Sequence, residues 1–347
     1  MKIKFILLTF ALWVSYLPST FASESPAANQ LREAYLDWEF GMFIHFNMAT
    51  FNEREWANGY EDPATFAPDQ LDCSQWADAA SAAGMNYAVL TVKHTGGWCL
   101  WDSAYTESHD TAAFKNFRNG KGDIVREFVD AFRAKGIKVG LYYCMPGNYN
   151  GKWGNPGLKE GQTSLEGMPP EAEGRYVEFI KDQLTELLTQ YGTIDLLWFD
   201  QVNKPLVTDH IPEIMQHVKS YQPDCIVVCN NTHDYNRTDI FSYEYPFMMA
   251  RDPSRAMPPE GNQNPGEVSD YLGPAWFWKE NVAWKMKSAK EVAGIVKLCK
   301  ERRANYLLNV APDTSGRIPQ KTVKRLEKIG SRLNKGSSTA CNKCSPK

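Results

Sequence analysis

Ile194-Asp195-Leu196-Leu197-Trp198-Phe199-Asp200 places four large apolar side chains in a row and then presents a carboxylate. A run that is apolar at every position, not at alternate ones, is what a parallel strand covered on both faces requires. Seven further runs of this kind lie at 41–46, 87–92, 139–143, 226–229, 240–243, 275–277 and 306–310. Stretches with helical periodicity separate most of them, at 74–83, 124–135, 171–191, 210–221, 288–302 and 320–333. Gly84, Gly136 and Gly192 follow three of these helices as stop signals. Eight strands alternating with helices predict a single (β/α)8 barrel, for which about 250 residues suffice. A doubly wound sheet is the alternative, but no Gly-x-Gly-x-x-Gly follows the first strand to support its dinucleotide-binding form. In a barrel the segments 47–71, 94–122, 145–170 and 244–274 follow strands and fall on the C-terminal face, where active sites are built.

The two ends of the chain read differently from this body. Met1-Lys2-Ile3-Lys4, an apolar run at 5–17 and the close Pro18-Ser19-Thr20-Phe21-Ala22, which brings in small residues, have the order of a secretory signal peptide. The expectation is export to the periplasm or beyond, with 1–22 removed and the catalytic domain spanning 23–335. No other run approaches the length of about 20 residues that a bilayer requires, so no membrane anchor is expected. Loss of Lys2 and Lys4 moves the formal charge from −3 to −5, which leaves no basic footprint for nucleic acid. Eight cysteines in 347 residues are too sparse for a disulfide scaffold, though an exported chain has room for one or two bridges. Residues 336–347 read as a flexible polar tail, and Cys341-Asn-Lys-Cys344 within it has no second cysteine pair with which to build a zinc site.

The chemistry is concentrated at strand ends. Asp200 closes the strand quoted first, and in a barrel that position aims into the active-site mouth, although a helix cap or ion pair makes the same demand on an aspartate. Phe43-Ile44-His45-Phe46, Val92-Lys93-His94-Thr95 and Leu141-Tyr142-Tyr143 end their strands in the same manner. Two histidines, a lysine and a carboxylate converging on one face point to a reactive site. The histidines fall on separate elements with no His-Glu-x-x-His spacing, so neither metal nor cofactor is expected.

Taken in order, these residues resemble the α-L-fucosidases of glycoside hydrolase family 29. The resemblance runs from about Leu36 to Gly316 and rests on Trp38-Glu39-Phe40-Gly41-Met42-Phe43-Ile44-His45, Glu55-Trp56, Lys93-His94, Leu100-Trp101-Asp102-Ser103, Leu141-Tyr142-Tyr143, Leu197-Trp198-Phe199-Asp200 and Tyr306-Leu307-Leu308-Asn309. It implies a retaining exo-glycosidase that removes terminal α-L-fucosyl residues from glycans, with Asp200 as nucleophile. A second carboxyl group about 5–5.5 Å away must then act as acid and base. Glu267, followed by Ala275-Trp276-Phe277-Trp278, matches the family's Trp-Glu-x-Cys and Ser-Trp-Gly-Tyr-like spacing and is preferred for that role; Glu244, between tyrosines at a strand end, is the alternative. His45, Glu55, Trp56, His94 and Tyr143 resemble sugar-binding positions, with Trp198 and Trp276 covering the ring. Tyr142 is the alternative to Tyr143, because neighbouring strand residues face opposite ways.

The departures from the family are specific. Lys93-His94-Thr95-Gly96-Gly97 stands where Lys-His-His-Asp-Gly is usual, Cys229-Asn230-Asn231-Thr232 where Val-Asn-Asp-Arg is common, and Gln201 where a glycine follows the nucleophile. The carboxy-terminal β-sandwich of many members has no counterpart in the sequence. These changes bear on the sugar and the leaving group, so an exo-glycosidase for another sugar such as an α-L-galactoside, or an inactive carbohydrate-binding barrel, stand as alternatives.

Overall fold

The structure is a computed structural model that describes residues 25–106, 110–111, 117–145, 172–280, 282–283 and 285–341. The signal-like segment and the cysteine at 344 lie outside these residues. Eight parallel strands close into a barrel in sequence order: β1 (Phe40–Ile44), β2 (Tyr87–Lys93), β3 (Lys138–Cys144), β4 (Leu196–Asp200), β5 (Ile226–Cys229), β6 (Ile240–Glu244), β7 (Gly266–Tyr271) and β8 (Ala304–Asn309). The helices are α1 (Pro26–Tyr35), α2 (Cys73–Ala83), α3 (Ile124–Ala134), α4 (Ala172–Gln190), α5 (Ile211–Tyr221), α6 (Tyr245–Met248), α7 (Ala289–Glu301) and α8 (Gln320–Cys341).

Strand alternation sorts the apolar residues into two cores. Phe43, Val89, Tyr142, Leu196, Trp198, Ile226, Val228, Ile240 and Leu307 pack together inside the ring. Their neighbours in sequence, among them Leu197, Phe199, Val227 and Leu308, join the layer beneath the helices. Local signals fix the helix ends. The Asp72 carboxylate accepts from Ser74 N and Gln75 N at the start of α2, and Gly84 at its end has φ 75°. Ser288 and Glu291 form a capping box on α7.

Three expectations are corrected. The seventh strand is β7, not 275–277: its sequence Gly266-Glu-Val-Ser-Asp-Tyr271 is too polar to read as a buried run, yet partners from β8 and α1 satisfy its carboxylates. Helix α1 was not anticipated. It closes the N-terminal end of the barrel, where Arg32 Nε donates to Asp239 O at 3.1 Å and the Tyr35 ring enters the interior core. Residues 336–341, expected to open the tail, continue α8 through Cys341. The described cysteines at 73, 99, 144, 225, 229 and 299 are all buried free thiols.

Helices α2 and α8 approach closely at Gly330, where an added Cβ would run into the Ala82 carbonyl. Gly294, on the exposed face of α7, has nothing within 4 Å of the same position. Gly294→Ala is therefore expected to stabilise by up to about 1 kcal/mol through helix propensity. Gly330→Ala is expected to destabilise by about 1–3 kcal/mol because a helix must shift. Thermal melts of the two variants should move in opposite directions; melts that move together would rule out the steric account.

Candidate active site

Period-two geometry sets which strand-end residues meet. On β4, Leu196, Trp198 and Asp200 share the inward face. Trp198 pairs in register with Tyr142 and Val228, which share the interior core. Continuing the same alternation carries Asn230 past the end of β5 and Glu244 to the end of β6. Tyr142, Trp198, Asp200, Asn230 and Glu244, with Phe43, His45, Trp56, His94 and Trp276, line one cavity of about 560 Å³. That lies within the range of about 300–1,000 Å³ typical of small-molecule sites.

Two carboxylates face each other in this cavity. Asn230 Nδ2 donates to Asp200 Oδ1 at 3.0 Å and to Glu244 Oε2 at 3.1 Å, so these two oxygens are no more than about 6 Å apart. Asp200 is held from two further sides: Tyr142 OH donates to Oδ2 at 2.7 Å, and Gln201 N donates to Oδ1 at 2.7 Å. Burial first and Asp200 second push the Tyr142 phenol well above its usual range, which keeps it a donor. Gln201 adopts the left-handed region at φ 56°, which accounts for the glycine that family members carry there.

Glu244 has the environment of an acid. Burial, and then the charge of Asp200, raise its pKa from 4.5 to about 7, against amide donors on Asn230 and Asn231 and the charge of Arg251. The histidines behave oppositely. Burial holds His45 and His94 down at about 3, so both are neutral in ordinary buffers. Asn309 Nδ2 donates to Trp276 O at 2.7 Å, which leaves its Oδ1 to accept from His45 Nδ1 at 2.7 Å. That fixes the His45 tautomer, with Nε2 as an unprotonated acceptor for a hydroxyl.

Several expected residues lie elsewhere. Glu267 is fully buried deep in the barrel, not on a loop. It accepts from Trp198 Nε1 at 2.7 Å, Tyr87 OH at 2.8 Å and the Tyr35 hydroxyl, and it does not line the cavity. Tyr143 and Lys93 point outward to the helix layer, where Lys93 Nζ donates to Tyr143 OH at 2.7 Å and Tyr143 OH donates to Gln183 Oε1 at 2.7 Å. Tyr142 takes the place expected of Tyr143. Glu55 sits beside the cavity: its Oε2 accepts from Trp276 N at 3.1 Å and its Oε1 pairs with Lys279 at 3.0 Å. Asn230 and Asn231 went unrecognised as site residues, although counting on from β5 with period two would have found Asn230. Among the described residues, no three His, Cys, Asp or Glu side chains cluster to hold a metal.

Comparison with known proteins identifies the family. The α-L-fucosidase family model matches residues 15–337. Alpha-L-fucosidase 1 of Arabidopsis thaliana is 29% identical over 86% of this chain and 59% of its own length. The chain spans less than three fifths of the length of the plant relatives it matches. Among solved structures, alpha-L-fucosidase isoenzyme 1 from Paenibacillus thiaminolyticus superposes with a TM-score of 0.72 at 29% identity, covering 90% of this chain and 77% of that one. A glycoside hydrolase 29 family member from a rumen bacterium gives 0.68 at 27% identity, over 88% and 56%. The match across nearly the whole barrel, together with the eight-stranded ring and its mouth, shows that this chain belongs to the α-L-fucosidase family.

Proposed function

We propose that this protein is an exported retaining exo-glycosidase that hydrolyses terminal α-L-fucosyl residues of glycans, with Asp200 as nucleophile and Glu244 as acid and base. One observation carries the reading: a single amide hydrogen-bonds both carboxylates and keeps those oxygens within about 6 Å. That bound accommodates the spacing of about 5–5.5 Å that double displacement uses and leaves little room for a water between the groups. Export is supported by the charged, apolar and small-residue order of residues 1–22.

In the first step Asp200 attacks the anomeric carbon while Glu244, protonated below about pH 7, delivers its proton to the departing oxygen. The glycosidic bond breaks as the ester to Asp200 forms. In the second step Glu244, now a carboxylate, takes a proton from water as that water attacks the same carbon and releases Asp200. Neutral His45 and His94 accept and donate to sugar hydroxyls. Trp198, Trp276 and Phe43 supply apolar walls for the ring and its methyl group.

Asp200→Ala is expected to lower kcat on an aryl fucoside by at least about a thousandfold, with azide restoring part of it as a fucosyl azide. Near-normal turnover by that variant would remove Asp200 from the mechanism. Proton NMR in the first minutes of hydrolysis should show the product in the anomeric configuration of the substrate; the opposite anomer would exclude the covalent intermediate.

The two glutamates separate by leaving group. Glu244→Ala should cripple hydrolysis of natural glycosides while sparing the first step on an activated aryl fucoside. For the native protein kcat/KM should fall as pH rises through about 7, where Glu244 loses its proton, and that limb should vanish in Glu244→Gln. Glu267→Gln, acting through Trp198, should weaken all substrates alike and keep the limb. Limb loss in the Glu267 variant and not in the Glu244 variant would return the acid role to Glu267.

A further inference from the structure

The outer part of the cavity, away from His45 and His94, is lined by Lys204, Arg237, Arg251 and Arg255, with Asp234 as the acidic side chain among them. Elsewhere cations are commonly matched: Arg118 pairs with Glu127, Arg303 with Glu33, Arg317 with Asp72 and Lys287 with Asp270. The four in the cavity pair with no carboxylate among the described residues. Neutral groups orient the three guanidiniums instead. Arg237 Nη2 donates to Thr208 Oγ1 at 2.8 Å and Val202 O at 3.2 Å, while its buried Nε has no hydrogen-bond partner among the described residues. Arg255 donates to the Asn231 carbonyl, and Arg251 stacks on the Phe247 ring at 3.7 Å from its centroid. Such partners hold the fork in place without neutralising it, which leaves its charge available to an oxyanion.

The chain as a whole is acidic, with a formal charge of −3, so this is not a general excess of basic residues. Lys204, Arg237 and Arg255 are half-buried and Arg251 is exposed, and cations gathered in one concave site add their potentials there. Their place is where the leaving group must lie, because the fucosyl ring sits between the histidines and Asp200. We propose that this cavity selects substrates whose leaving glycan carries an anionic substituent, a sulfate ester or a carboxylate, held by Lys204, Arg237, Arg251 and Arg255. The inference rests on the glycosidase reading for the position of the leaving group.

The test uses three fucosides of one linkage, to galactose, to galactose 6-sulfate and to galacturonate. At low ionic strength kcat/KM on at least one charged substrate should exceed the neutral one by about tenfold or more, and added sodium chloride should shrink the ratio. Whichever charged substrate leads identifies sulfate or carboxylate as the group read. Lys204→Gln and Arg251→Gln should each lower the charged-to-neutral ratio several-fold. Taken within one variant, the ratio cancels any effect of Arg251 on the proton of Glu244. Hydrolysis of all three at equal rates at every salt concentration overturns the anion site and leaves the fucosidase standing. If none is hydrolysed, yet calorimetry shows the charged glycosides binding more tightly than the neutral one, the anion site stands and the fucosidase reading falls.

Discussion

Closing eight parallel strands into a ring forces every second side chain into an interior with little water. A polar group placed there must find a protein partner or open to the mouth, since an unpaired buried one costs about 1–3 kcal/mol. The two glutamates of the barrel show both solutions. Glu267, near the start of β7, lies deep and is surrounded by three donors from Tyr35, Tyr87 and Trp198. Glu244, at the end of β6, reaches the open layer beside Asp200. Depth along the strand, more than residue type, separates a carboxyl group enclosed by donors from one open to the cavity.

Glu244 also shows competing terms with a clear winner. Two asparagine amides stabilise its charged form, and burial with Asp200 disfavours it. The resulting displacement from 4.5 to about 7 corresponds to roughly 3 kcal/mol at about 1.4 kcal/mol per unit. Asn230 is central because it joins the two carboxylates: the same amide that limits their separation tempers their repulsion. Asn230 falls on the asparagine of the family's Val-Asn-Asp-Arg, whereas Thr232 stands at its arginine, and the arginines of this cavity come from later positions, at Arg237, Arg251 and Arg255.

The cavity wall depends on contacts between loops. Glu55, from the segment after β1, accepts from the backbone of Trp276 and pairs with Lys279 in the segment after β7. Asn309, at the end of β8, holds Trp276 O and His45 Nδ1 together. A stacking surface, a hydroxyl acceptor and a strand end are thereby set by one chain of hydrogen bonds. Glu267 does the same from below for Trp198, which stacks on Tyr142 with ring centroids 5.4 Å apart.

Sequence by itself determined the fold class, the order of seven of the eight strands and the position of Asp200, because runs apolar at every residue have few structural readings other than a strand covered on both faces. It also carried the family resemblance through His45, His94 and Trp198. It could not resolve Tyr142 from Tyr143, since both continue the apolar run and only closure of the ring assigns one to each face. Nor could it find β7, whose glutamate and aspartate look solvated until Tyr35, Trp198, Tyr306 and Lys287 arrive from distant segments to satisfy them. Which of Glu267 and Glu244 reaches the cavity is decided by tertiary structure alone. A carboxyl group's environment is made by residues far from it in sequence, and depth in a barrel is not written in its immediate neighbours.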